Sequence, residues 1–207
     1  PFSLPVMQMG FDHYIELMVE RQDLFERLMK VNEEFCVRWA NAQLKAGATA
    51  IGYFDPVSSP GIVPREMYLK TGFQVAKRTI ARIQGPTAIH FASDRCLPIL
   101  DDIAQTGAAI VGVSVLEDLA EIKATCRGKL TVLGNLNGIE MRRWTEKDAE
   151  KAVKEAIAKA GPGGGYILSD NHGEIPWQVP DEVIMAISEA VRKWGRYPLK
   201  WVESDDR

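Results

Sequence analysis

Five short apolar runs, each ending abruptly on polar residues and each followed by a helical stretch, constrain this chain more than anything else in it. Residues 48–54 stop at Asp55, 87–89 at His90, and 108–113 at Ser114. Residues 130–133 stop at Gly134 and Asn135, and 165–168 at Ser169, Asp170, Asn171 and His172. Apolar runs of this length without polar alternation read as strands buried on both faces. Helical spacing follows over 64–82, 97–106, 117–126, 145–160 and 181–194, and one long helical pattern runs from about Phe11 to Ala46. Asp23 and Thr145 suit N-caps, Pro64 and Pro180 suit first turns, and Gly47 stands where a helix stops. Strands alternating with helices require crossover connections, and therefore a parallel sheet covered on both faces. An open doubly wound sheet and a barrel both satisfy that pattern.

No GxGxxG follows any of the runs. The glycine-rich stretch 161–165 precedes a strand instead of joining a strand to a helix, so it reads as a flexible turn and not a phosphate cradle. The chain has 207 residues, 46% of them hydrophobic, which is enough for one sizeable core. A net charge of −3 argues against nucleic acid or an anionic membrane held by bulk charge, and points to a small-molecule or protein partner. Cys36, Cys96 and Cys126 are scattered, which suits a reducing cytoplasm. No apolar segment reaches the roughly 18 residues of a transmembrane helix. The start, without a basic region, is not a signal peptide, and its abrupt apolar opening looks like the middle of something longer. Residues 1–198 are expected to form the domain, with 199–207 a loose charged tail.

In parallel α/β folds the chemistry gathers at the carboxyl ends of the strands, where the loops diverge. Those ends present Asp55, His90, Ser114, Asn135, Asp170 and His172. Two of the three histidines fall there, and a satisfied core imidazole is the plainer explanation of either taken singly. Together with a carboxylate such as Asp55 or Asp170 they suit zinc with an open position, though no local metal motif joins them. They equally suit acid–base work or hydrogen bonding to a carboxylated substrate. Cys96 is expected to be a buried, inert thiol near the start of a helix. Trp177 is placed to pack or to line a pocket, and the loop 55–64 to form a pocket wall.

The segments "FDPVSSPGIVPREMY", "AIHFASDRCLPILDDIAQTGAAIVGV", "LTVLGNLNG" and "GYILSDNHGEIPWQVPDEVIMAI", in that order, resemble the uroporphyrinogen decarboxylase superfamily over about residues 1–191. The resemblance implies a (β/α)8 TIM barrel, this chain covering the C-terminal part with about five strands and lacking the first ones. It implies a pocket with Asp55, His90 and His172 as catalytic or metal-binding residues, and Met7, Ser114, Asn135, Asp170 and Trp177 as substrate contacts. The superfamily holds porphyrinogen decarboxylases and cobamide-dependent methyltransferases. In the decarboxylases a serine follows the aspartate and a tyrosine sits in the opening segment; here those places hold Pro56 and Met7. The methyltransferases carry a His-x-Cys and a later cysteine binding zinc; here His90 matches the histidine, while Ala92 and His172 replace the cysteines. The loop Asp55-Pro56-Val57-Ser58-Ser59 is similar to the methyltransferases. The expectation is therefore an enzyme moving a methyl group between a corrinoid protein and a small molecule, with zinc as a candidate metal and the cobamide supplied by the partner. Decarboxylation of a porphyrinogen-type polycarboxylate is the alternative. A degenerate barrel that binds a partner is the third, and a homodimer or a chain completing the barrel would close its open edges.

Overall fold

Alternating apolar runs and helices become alternating strands and helices in a computed structural model, which describes residues 1–91, 94–170 and 174–204. The order is α1 (Leu4–Met9), α2 (Phe11–Glu20), α3 (Gln22–Lys45), β1 (Ile51–Phe54), α4 (Arg65–Lys70), α5 (Gly72–Ile80) and β2 (Thr87–His90). Then come α6 (Leu100–Ala104), β3 (Ile110–Gly112), α7 (Leu119–Cys126), β4 (Thr131–Leu136), α8 (Glu146–Ala160), β5 (Tyr166–Asp170), α9 (Asp181–Trp194) and α10 (Lys200–Ser204). The five parallel strands form one sheet in the order β1-β2-β3-β4-β5, an α/β fold. Contacts divide the chain into residues 1–111 and 112–207, the boundary falling inside β3.

In the first unit β1 and β2 pair from Ile51 opposite Thr87 to Phe54 opposite His90. Ala109 N–H donates to Thr87 O at 3.0 Å, bringing the chain into β3 beside β2. Ile51, Tyr53, Thr87 and Ile89 are buried, following the two-residue alternation of a pleated strand. The long helical pattern expected over 11–46 is broken at Arg21 (φ −129°, ψ 67°), which caps α3 in place of Asp23; Asp23 sits in the first turn and pairs with Arg21. Gly47 ends α3 as expected, at φ +107°. The helix expected over 64–82 breaks at Thr71, whose hydroxyl donates to Met67 O at 2.7 Å and competes with the helical ladder. Phe2, Tyr14 and Phe25 meet nearly edge-on or tilted with centroids 5.9–6.3 Å apart, which anchors the N-terminal segment on α2 and α3. Arg78 ties α5 to the buried Glu33 of α3 through two hydrogen bonds.

In the second unit β4 and β5 pair from Val132 opposite Tyr166 to Leu136 opposite Asp170. Val113 N–H donates to Leu133 O at 2.9 Å, carrying β3 alongside β4. Gly134 holds φ +137°, and a Cβ there would lie 2.9 Å from Val113 O, so this crossing of two backbones admits only glycine. Thr145 caps α8 in a capping box with Asp148, while Asp118 caps α7 by accepting from Ala120 N and Glu121 N. Pro180 occupies the N-cap of α9 and Pro64 that of α4, each one residue before the helix.

Two expectations change here. Residues 200–204 are helical, not a loose tail: Trp201 packs on Trp194 at 5.4 Å and donates from Nε1 to Trp194 O at 3.0 Å. Lys154 lies over both indole rings, which adds a cation–π contact to the packing. The 161–165 turn is held, not loose. Gly163, Gly164 and Gly165 all take positive φ, and Lys123 Nζ donates to the carbonyls of Gly164 and Gly165. Burial pushes the Lys123 amine down from its ordinary value. Among the described residues no helix is long and apolar enough to cross a membrane.

Candidate active site

At the carboxyl ends of β1 and β2 two rings face the same way. Phe54 and His90 are register partners, so their side chains leave the sheet on one face, and they stack with centroids 5.5 Å apart and planes 16° from parallel. Phe54 is 59% exposed and His90 is half-buried. The sequence-predicted histidine therefore stands at a strand end with an aromatic ring fixing its plane.

Asp55, one residue beyond Phe54, behaves differently. Its N–H donates to His90 O at 2.8 Å, which extends the β1–β2 ladder by one bond. Its carboxylate is 1% exposed: Ser3 Oγ donates to Oδ1 at 2.5 Å and Ser58 Oγ to Oδ2 at 2.6 Å. Ser3 Oγ in turn accepts from Val57 N–H at 3.0 Å. Burial raises the Asp55 carboxyl above the usual aspartate range, against the lowering by the two serine hydrogen bonds. Both oxygens are thus engaged inside the protein, and Asp55 fastens the first residues of the chain to the end of β1. The sequence expectation for this carboxylate is a metal ligand or catalyst aimed into a pocket; its bonds here run to Ser3 and Ser58.

The following turn, Pro56–Ser58, is a short 3₁₀ helix whose Val57 and Ser58 are buried. The loop 55–64 is pinned again at Gly61, whose N–H donates to Asp94 Oδ2 at 2.7 Å. Arg65 forms a two-bond pair with the buried Asp102, at 2.7 and 2.9 Å, so this arginine is committed to structure. Met7 projects from α1, 86% exposed, beside a groove along β1. Cys96 is fully buried, as expected.

In the second unit the predicted polar residues support the loops. Ser114 is buried and its Oγ accepts from Leu116 N–H at 3.1 Å. Asn135 donates from Nδ2 to Ser114 O at 2.9 Å and to Glu117 O at 3.4 Å, which links the end of β4 to the loop after β3. Tyr166 reinforces the same strand by donating to Gly134 O at 2.6 Å. Asp170 is half-buried at the end of β5, its carboxylate so near the loop after β4 that a Cβ at Gly138 would sit 3.2 Å from Oδ2. Trp177 is 96% exposed. Asn171, His172 and Ala92 lie outside the described residues.

Among the described residues no group of three or more His, Cys, Asp or Glu side chains is arranged to hold a metal ion. Of the expected zinc ligands, His172 lies outside the described residues, and both oxygens of Asp55 are bonded to serines. Ser3 and Ser58 are the site-adjacent residues that sequence reasoning missed. No local pattern marks Ser3, because its partner is 52 residues away.

The model of the family described as uroporphyrinogen decarboxylase (URO-D) matches residues 1–194. The chain belongs to this family. A uroporphyrinogen decarboxylase of Cupriavidus necator is 27% identical over 184 residues, covering 85% of this chain and 50% of the relative. The methylcobamide:CoM methyltransferase MtaA of Methanosarcina barkeri is 26% identical over 140 residues, covering 66% of this chain and 40% of the relative. A solved methyltransferase from Methanosarcina mazei superposes with a TM-score of 0.78 at 21% identity, covering 88% of this chain and 53% of that one. The chain spans about half the length of the curated relatives it matches, and its five-stranded sheet is a partial TIM barrel of this family.

Proposed function

We propose that this chain is part of an enzyme that moves a methyl group between a corrinoid protein and a small molecule, with His90 contacting the small molecule. The observation that carries the reading is the Phe54–His90 stack: an imidazole held flat at the strand ends, on the side where barrel enzymes build their sites. Met7 and Pro56 favour methyl transfer over decarboxylation. They stand where the family resemblance expects a tyrosine and a serine, and neither side chain donates a hydrogen bond to a carboxylated substrate. The M. barkeri relative is a methylcobamide:CoM methyltransferase, and transfer of that activity to this chain belongs to the proposal.

In the step proposed, the heteroatom of the acceptor supplies the electron pair of the new bond to the methyl carbon. The electrons of the broken cobalt–carbon bond stay with the corrinoid, and the proton of the acceptor passes to His90. General-base help of this kind contributes on the order of 10²–10⁴ in rate. A cytoplasmic setting belongs to the same reading, since Cys36, Cys96 and Cys126 are scattered along the sequence with no CxxC pair.

Decarboxylation of a porphyrinogen-type polycarboxylate is the second reading, favoured by the C. necator relative. One experiment separates the two. Protein containing this chain is incubated with methylcobalamin and a panel of thiols and amines, followed by corrinoid absorbance, and in parallel with uroporphyrinogen. Demethylation that depends on an acceptor and falls in His90→Ala supports methyl transfer; loss of carboxyl groups from uroporphyrinogen without demethylation overturns it.

A further inference from the structure

Phe54 and His90 leave the sheet on one face, and the residues that follow them, Asp55 and Phe91, are buried. Alternation along an extended chain turns these two inward as the rings face out. Both are then held by the corner between α4 and α5. Asp55 Oδ2 accepts from Ser58 Oγ at 2.6 Å, and Ser58 Oγ lies against Gly72, the first residue of α5, so closely that a Cβ there would overlap it. The same Cβ would stand 3.3 Å from Phe2 Cδ1, next in the chain to Ser3, the second donor to Asp55. Beyond His90, Phe91 meets Tyr68 of α4 edge-on with centroids 6.4 Å apart, and Tyr68 meets Phe73 of α5 at 6.1 Å. Two lines of contact therefore run from the first residues of α5, one to the residue after Phe54 and one to the residue after His90. The bond from Asp55 N–H to His90 O joins them at 2.8 Å.

We infer that Gly72 is a positioning residue for the Phe54–His90 pair. Its missing side chain lets Ser58 close on Asp55, and the bonded Asp55 holds the backbone from which both rings project. The outward side of the pair is open, Phe54 being 59% exposed, so the orientation of the rings is fixed from behind. The break at Thr71 starts α5 at this corner, and the Arg78–Glu33 pair ties the same helix to α3, so the support is itself anchored. A small misplacement of a reacting group by a distant substitution costs on the order of 100-fold in rate. That kinetic consequence rests on His90 contacting the small molecule, as proposed above; the geometric one does not.

Nuclear magnetic resonance of protein containing this chain, labelled in its histidine rings, tests the inference. The signal lost in His90→Ala identifies His90, and Phe54→Leu gives its position without the neighbouring ring current. Gly72→Ala and Ser58→Ala, each checked for folding by circular dichroism, should each shift that signal toward its Phe54→Leu position. Ser58→Ala adds no atom and serves where Gly72→Ala does not fold. The double variant should shift it little further, because the added methyl acts by displacing the hydroxyl that Ser58→Ala already removes. Asp55→Asn keeps an acceptor for Ser3 and offers an amide donor to Ser58, so the signal should stay in place. In acceptor-dependent demethylation, Gly72→Ala should lower kcat on the order of 100-fold with little change in KM. An unmoved signal in either folded single variant overturns the inference, as do shifts that sum in the double variant. The expected shifts in a protein whose wild type demethylates nothing would sink the methyl-transfer reading and leave the positioning role supported.

Discussion

Ser3 Oγ donates to Asp55 Oδ1 at 2.5 Å, and this one bond joins the first turn of the chain to the end of a strand 52 residues later. Because Ser3 Oγ also accepts from Val57 N–H, the hydroxyl serves both a carboxylate and a backbone amide in a buried setting. Hydrogen bonds to charged groups contribute about 1.5–3 kcal/mol. Ser3→Ala is therefore expected to lower stability by about 2 kcal/mol in urea denaturation. An unchanged midpoint would show that the anchor has no energetic role.

Asp55 should give the chain an unusual pH signature. Burial lifts its carboxyl above the aspartate range, so the folded state holds the proton more tightly than the unfolded one. Its contribution is then fully present below the ordinary aspartate value of about 3.9 and is lost as pH rises through the higher folded value. Asp55→Asn removes the titration, so the stability of the wild type minus that of the variant should fall as pH climbs through this window. A difference that stays flat across it contradicts the expectation.

His90→Ala is expected to slow methyl transfer by about 10²–10⁴-fold while changing stability by no more than about 1 kcal/mol. Phe54→Ala, which leaves the imidazole but removes the ring that orients it, should lower the rate less than His90→Ala does. Equal losses in the two variants, accompanied by unfolding in circular dichroism, would make the pair structural instead.

Asn135 faces two carbonyls, Ser114 O and Glu117 O, through its amide nitrogen. Asn135→Ala should cost about 1–2 kcal/mol, and Asn135→Asp more, because a carboxylate would confront two acceptors. Thermal melts of the three proteins rank them directly; an aspartate variant as stable as the alanine variant speaks against the assigned geometry.

Thr145→Ala removes the hydroxyl that accepts from Asp148 N–H and should cost about 1 kcal/mol by the same melts.

The strands were legible in the sequence because each apolar run is short and stops at a polar residue, and His90 falls at a strand end as those runs implied. The helix termini were legible where the signal is local: Thr145 at the start of α8 and Gly47 at the end of α3. What was not legible depends on partners far along the chain. Nothing near Asp55 says that Ser3 buries it, so a carboxylate at a strand terminus looked catalytic. The break at Thr71 was hidden because apolar spacing continues through it, and only the hydroxyl bond to Met67 O marks the interruption. The charged look of residues 199–207 hid Trp201, whose indole docks on Trp194. His172 lies outside the described residues, so half of the expected histidine pair stands on sequence alone.

The turn at Gly163, Gly164 and Gly165 shows that glycine enrichment and looseness are separate properties. Three successive left-handed residues aim carbonyls at the ammonium of Lys123, so the side chain of α7 acts as a rivet for the approach to β5. Neutralising that charge, for instance by acetylation, would free the turn and slacken the entry of the last strand. A segment whose composition suggests a hinge is, in this protein, a clamp operated by one lysine.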